Sequence, residues 1–516
     1  MFAWLRDFLH RHPLARQALV WAVPALIFGA ILRGLMLSYL PYAYWGSDSR
    51  SYFGFTEQLL DTGDFSLYDK RRYLYPILLL PVTLLPGSPL KWIAWLQHAL
   101  GLLTLLPLAY CVRKLFAAWR AYILPVTLLY AGLPILLWYE HELLAEALFF
   151  HAMVWMVAGW MAFAPSRGTA VLRNFWWFFG GLAAVILTKP AGRFLWPAVL
   201  FGLVCLVAWK TLHRRHWIAL ASLFGLTFTI GQDTQASWLL YASAFPLTRL
   251  ETPLHAEYKA QIADLVRPAR ERLETHVRGP DSKVWMDFLK FPERQTERPL
   301  WTELGKDDAK KQRIYQDLAL EALKRHPLLF LRIAFGKIIA SANPEEFRSE
   351  RFLTRYTTEK YAHQYRQDSD KKPGRIRRLF ALPKDGDLPA YSEIEKRLAP
   401  NPHSPVAASM HRYVDRYQAA ARLVASEDDD DPTVDLTPLA WWILIGGALA
   451  LLPRFFRPLG IPVLLAWSYL FGTFLVGGIN ARYFGAVWAI VLLALCVPLD
   501  LGARALGNIG RKGRLS

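Results

Sequence analysis

The chain has 516 residues, 54% of them hydrophobic, with 21 Trp and 30 Phe. Repeated long apolar runs exclude a soluble globular domain and point to an all-α polytopic membrane protein with one large polar insert. The formal charge of +18 does not mark a nucleic-acid binder, because no basic stripe or reader motif accompanies it.

The charge is unevenly placed. Between Gln232 and Leu436 about 34 Lys and Arg face about 32 Asp and Glu, so the insert is close to neutral. Nearly all the excess lies in short loops beside apolar runs, where basic residues set membrane orientation. The three cysteines, Cys111, Cys205 and Cys496, fall in apolar runs and imply no disulfide framework.

In chain order, the expected spans are Gln17 to Tyr39, Trp92 to Val112, Ala121 to Trp138, Leu143 to Phe163 and Phe175 to Thr188. They continue as Phe194 to Trp209, Trp217 to Gly231, Leu439 to Leu452, Ile461 to Gly478 and Tyr483 to Leu499. That makes about ten transmembrane helices, most near the roughly 17–25 residues a bilayer requires. Leu74 to Leu85 is too short, contains Pro76 and Pro81, and reads as interfacial or re-entrant. Leu328 to Ser341 carries Arg332 and Lys337 and reads as an amphipathic interfacial helix.

Basic groups at Arg6, Arg11 and Arg16, at Arg113, Lys114 and Arg120, and at Lys210, Arg214 and Arg215 fall on one side of such a ten-span chain. Both termini are then expected in the cytoplasm of a bacterial inner membrane. No small-residue cleavage site follows the first apolar run, so no signal peptide is expected. The organisation is a membrane module at 1–231, a mainly helical periplasmic insert or lid at 232–436, and C-terminal spans at 437–516. Within the insert, Arg348 to Gln367 interleaves basic and aromatic residues and reads as an amphipathic surface. Glu427 to Asp431 is five acids in a row and reads as a solvated linker.

This topology gathers chemistry on the outer face. Asp48 follows the first span, with Arg50 and Tyr52 behind it. Glu142 and Glu146 are four apart and are expected on one helical face at the mouth of the fourth span. A carboxylate just inside a membrane boundary is costly and is a functional candidate. His141-Glu142 is not a zinc-protease motif, since Ala145 stands where the second histidine would be. Lys189 and Arg193 place cations on the side that should be poor in them, and Arg482 and Arg33 add two more. Cations there can hold a phosphate.

The ordered series then resembles a known family. It runs from Arg33 through Asp48-Ser49 and Tyr52, Gln58-Leu59-Leu60, Gly63 and Phe65, to Tyr75-Pro76. Gln97, Trp119-Arg120-Ala121, Pro134 before Glu140 and Glu146, and Thr188-Lys189-Pro190 follow, then Arg325-His326-Pro327 and Arg482-Tyr483. The membrane part is similar to bacterial glycosyltransferases of the GT-C class, which include protein O-mannosyltransferases and aminoarabinose transferases of lipid A.

The resemblance implies a polyprenyl-phosphate-sugar donor and a lipid, glycan or protein acceptor in the cell envelope. Asp48 is then the catalytic base of an inverting transfer, with Glu146 beside it. Lys189, Arg193 and Arg482 hold the donor phosphate, and Glu142, Arg50 and Tyr52 orient the groups or the acceptor. Lys189 stands where the family usually has Arg, and Lys lacks the two-point phosphate geometry of Arg. The Asp-x-Asp of metal-using members is absent, so no metal is expected, although Asp48 with Glu146 leaves a divalent cation open. Three other readings are an oligosaccharyl transferase using a lipid-diphosphate donor, a non-catalytic GT-C scaffold, and a lipid-linked-sugar flippase or transporter. The last requires repeats and polar groups at the bilayer midplane.

Overall fold

The computed structural model describes residues 13–45, 48–66, 72–116, 118–206, 212–229, 359–398, 437–476 and 484–512, with short pieces between 317 and 435. Among the described residues, ten α-helices lie before the insert: α1 (Pro13–Tyr39), α2 (Ser49–Thr62), α3 (Leu74–Thr83), α4 (Pro89–Leu115), α5 (Trp119–Ala131), α6 (Pro134–Glu140), α7 (Glu146–Phe163), α8 (Thr169–Thr188), α9 (Trp196–Leu206) and α10 (Arg214–Thr229). The described part of the insert adds α11 (Glu359–Lys371), α12 (Pro373–Phe380) and α13 (Tyr391–Leu398). The C-terminal part adds α14 (Thr437–Ala450), α15 (Ile461–Val476) and α16 (Trp488–Lys512).

Among the described residues, five helices are long and apolar enough to cross a membrane: Val20–Tyr39 within α1, α4, α7, α8 and Trp488–Ala505 within α16. The bent pair α5 and α6 makes a sixth if it is one span. The chain is a helical membrane protein. Val20, Ile27, Ile31, Leu129 and Val204 point their side chains outward, as a lipid-facing surface requires.

α7 is the central helix, apolar on nearly all sides and buried along its length. It packs on α4 and α8. The α7–α8 crossing depends on two glycines, since a Cβ at Gly159 would strike the Phe178 backbone and one at Gly181 the Met156 backbone. Small residues let membrane helices approach this closely, and close approach maximises dispersion contact.

Three expectations change. Ala121 to Trp138 is not one straight span: it breaks at Gly132-Leu133 into α5 and α6, bent by 49°. Pro134 opens the second piece, because its ring cannot continue the preceding turn. Glu142 and Glu146 do not share a helical face, since α7 begins at Glu146 and Glu142 lies in the preceding turn. The cause is a bridge to the segment between α1 and α2: the Tyr44 amide donates to the His141 carbonyl at 2.7 Å, and the Leu143 amide donates to the Tyr44 carbonyl at 2.8 Å. The acidic run, expected as a linker, contributes to a short antiparallel pair, β1 (Ser426–Asp428) with β2 (Asp431–Asp435). Apart from Leu328 and Ile338, the segment Leu328 to Ser341 lies outside the described residues.

Candidate functional site

The site rests on a buried polar network joining the C-terminal part of α1, the N-terminal half of α4 and the end of α6. Arg33 is six residues before the end of α1, about 9 Å down the helix axis at 1.5 Å per residue. Its Nε and Nη2 donate to Glu140 Oε2 and Oε1, each at 2.7 Å. Its Nη1 donates to the carbonyls of Gly29 and Ala131. This two-point geometry suits a planar guanidinium and a carboxylate. Both side chains are buried, so each neutralises a charge that would be costly alone.

Histidines extend the network. A carboxylate only accepts, so His98 Nδ1–H donates to Glu140 Oε2 at 2.9 Å. His98 Nε2 is then the acceptor for His141 Nδ1–H at 3.0 Å. His151 Nε2 lies 3.5 Å from Glu140 Oε1. Gly101, one turn after His98 on α4, makes room: a Cβ there would overlap the Glu140 carboxylate.

Gln97 carries the order outward. Its amide donates to the Glu140 carbonyl at 3.1 Å and the Glu142 carbonyl at 2.8 Å. Its Oε1 accepts the Tyr75 hydroxyl at 2.9 Å. The Tyr75 ring meets Tyr52 edge-on at 5.2 Å, and Tyr75 is within electrostatic reach of Glu142 and Glu146. Thr56 ties α2 to α3 by donating to the Pro76 carbonyl.

Asp48 sits at the N-terminus of α2, one turn before Tyr52 and on the same helical face. It is half-buried, its carbonyl accepts the Ser51 and Tyr52 amides, and its carboxylate does not cap the helix. Lys189 Nζ donates to Glu146 Oε1 at 2.7 Å. Lys189 ends α8 and Glu146 opens α7, so the close α7–α8 crossing brings the two together. Lys189 also lies over the Phe149 ring at 5.9 Å. Arg193 occupies the 3-10 turn Pro190–Leu195 and stacks on Phe194 at 5.0 Å. Glu142 Oε2 accepts the Trp138 indole N–H at 3.2 Å.

The insert docks on the helix that carries Asp48. Arg50 reaches α11, with Nη2 at 2.6 Å from Asp368 Oδ1 and Nη1 donating to Gln367 at 3.0 Å. Arg375 of α12 donates to Glu57 Oε2 at 2.6 Å and lies 3.7 Å from Asp368. Arg378 faces Glu57 and Asp61. Burial pushes the Glu57 carboxyl up, and the nearby Arg375, Arg378 and Lys372 pull it back only in part. Apolar contact accompanies the charges, with Trp45 edge-on to Phe380 at 6.3 Å and Ser88 Oγ donating to the Leu379 carbonyl.

Of the expected site residues, Glu146 and Lys189 are in direct contact, and Asp48, Tyr52 and Glu142 are joined to one framework through Tyr75 and Gln97. Arg193 follows Lys189 on the next turn. Arg50 is not beside Glu142 or Glu146; it lies in the first turn of α2, where the buried Asp368 carboxylate of α11 holds it against the insert. Arg33, expected as a phosphate-binding cation, is committed to Glu140. Arg482 lies outside the described residues. Among the described residues, no group of three or more His, Cys, Asp or Glu has the arrangement of a metal site.

The sequence reading named Glu140 only within the family-like series and His141 only to reject a zinc motif, and it did not single out His98 or His151. The available signal was the presence of His98 and His151 inside long apolar runs, where titratable groups are rare. No protein-family model, curated protein or solved structure matches the chain.

Proposed function

We propose that the chain is an integral-membrane glycosyltransferase of GT-C type with about ten spans, its site on the periplasmic face of a bacterial inner membrane and both termini cytoplasmic. It moves a sugar from a polyprenyl-phosphate donor to a cell-envelope acceptor. The observation that carries this reading is the Glu146–Lys189 pair at 2.7 Å. It places a held cation beside the framework on which Asp48 and Tyr52 stand.

In this mechanism the Asp48 carboxylate takes the proton of the acceptor hydroxyl, contributing about 10²–10⁴-fold. The acceptor oxygen attacks the anomeric carbon with inversion. The bond from that carbon to the phosphate oxygen breaks, and its electron pair stays on the phosphate. Lys189, Arg193 and Arg482 face that developing charge. Glu146 keeps Lys189 in place and yields some of its hold when phosphate arrives. The insert, docked on α2 beside Asp48, selects the acceptor.

The donor tests the reading. Purified protein in liposomes should transfer sugar from a polyprenyl monophosphate and leave a lipid diphosphate-linked oligosaccharide untouched. Transfer from the diphosphate alone would favour an oligosaccharyl transferase.

One observation favours a second reading, a lipid-linked-sugar transporter. The Arg33–Glu140–His98 cluster lies within helices that cross the membrane, the placement that transport uses for ionisable groups. Movement of a labelled lipid-linked sugar across liposomes, without transfer to any acceptor, would select it.

A further inference from the structure

Gln97 is a buried amide on α4 whose polar atoms face three separate elements. Its two donors are divided between the Glu140 carbonyl at the end of α6 and the Glu142 carbonyl in the turn before α7. Its acceptor takes the hydroxyl of Tyr75 on α3. Tyr75 in turn supports Tyr52 on α2, one turn from Asp48. Removing the amide would take a partner from each neighbouring carbonyl, although the Glu142 carbonyl also accepts the Leu144 amide at 2.7 Å.

The alternative role for such a residue is general core stability. The distribution of its bonds argues for more. The Glu142 turn is not helical, and besides local bonds to the end of α6 its backbone is tied to a distant segment by the Tyr44 bridge. Gln97 is therefore where the turn that precedes Glu146 and the helix that follows Asp48 are referred to a single side chain.

We propose that Gln97 is a positioning residue, which fixes the 141–145 turn against α2 and α3 so that Asp48 and the Glu146–Lys189 pair hold their mutual geometry. The catalytic half of this inference rests on the glycosyltransferase reading; the positional half does not.

Two variants separate the contributions. Gln97→Glu keeps an acceptor for Tyr75 and replaces the donors by an oxygen facing two carbonyls. Tyr75→Phe keeps the ring on Tyr52 and removes the hydroxyl. Hydrogen exchange reads the Tyr44 and Leu143 amides, which form the bridge to the turn, in full-length protein in detergent. Steady-state transfer kinetics are measured on the same samples.

The expected result for Gln97→Glu is at least about tenfold faster exchange at those two amides, with the core of α7 and α8 unchanged. Tyr75→Phe should show a smaller change of the same kind. Turnover should fall by about tenfold or more with donor KM within about twofold, as loss of alignment without loss of binding requires. Unchanged exchange at Tyr44 and Leu143 in both folded variants would overturn the proposal. So would faster exchange spread through every helix, which would make Gln97 a general stability residue. If exchange rises locally but neither parent nor variant transfers sugar, the positional role stands and the glycosyltransferase reading falls.

Discussion

Arg33 and Glu140 are 107 positions apart in sequence, yet they form a two-point bridge in the interior of the helical bundle, with both bonds at 2.7 Å. The bridge joins α1 to the last residue of α6, while a further Arg33 bond reaches the Ala131 carbonyl at the end of α5. It fixes where the chain turns into the segment that carries Glu142 and Glu146.

Removing one partner leaves a buried charge unpaired. Glu140→Ala should destabilise the protein by about 3–5 kcal/mol, and Arg33→Met with Glu140→Leu together should cost much less than the single change. Thermal unfolding in detergent reads both. Gly101→Ala should also destabilise, by about 1–3 kcal/mol, because its methyl group overlaps the Glu140 carboxylate.

Lys189 is paired with Glu146 and is only slightly exposed. Lys189→Met should lower transfer turnover by about 10²–10³-fold, the usual effect of removing one preorganised charge-stabilising group. Lys189→Arg should retain more activity, since the charge remains. Turnover with a saturating donor distinguishes the two variants.

The contact between the insert and α2 is ionic at its centre. Arg375→Glu places like charges against Glu57 and Asp368 and should release α11 and α12, exposing the 372–382 region to protease. The swap Glu57→Arg with Arg375→Glu should restore part of the protection. A swap no better protected than the single variant would show that Trp45–Phe380 and Ser88–Leu379 hold the contact without the charges.

Acidity should tighten the same contact. Glu57 has a docked pKa above its ordinary 4.5, because burial outweighs Arg375, Arg378 and Lys372. The docked state therefore binds its proton at higher pH than the undocked state. The contribution is fully present below about 4.5 and is lost as pH rises through the raised value. Asp61, Asp368 and Arg50 also face this cluster. Protease protection should rise on acidification through that window, and Glu57→Gln should remove this component.

The helical membrane class was legible because apolar runs are local and long. Glu146 and Lys189, which the structure brings into contact, stood out as candidates because charges beside such runs are rare. What the sequence withheld depends on packing. Glu142 follows Tyr139 and precedes an apolar string, so local pattern favours a helix through Glu146; the Tyr44 bridge, about a hundred residues away, prevents it. Arg33 looked like a free cation because its partner Glu140 becomes a neighbour only when α1 meets α5 and α6. Gly101 gave no signal at all, since its role is to leave space for a side chain from another helix.

The central claim is that Asp48 is the base in sugar transfer, and one comparison tests it most directly. Purified protein and its Asp48→Asn variant are reconstituted with a labelled polyprenyl-phosphate sugar and an envelope acceptor extract, and sugar transfer is measured over time. The account predicts transfer by the parent and a loss of about 10²-fold or more in the variant, with donor binding retained. Full transfer by Asp48→Asn, or none by the parent with any polyprenyl-phosphate sugar, would contradict it.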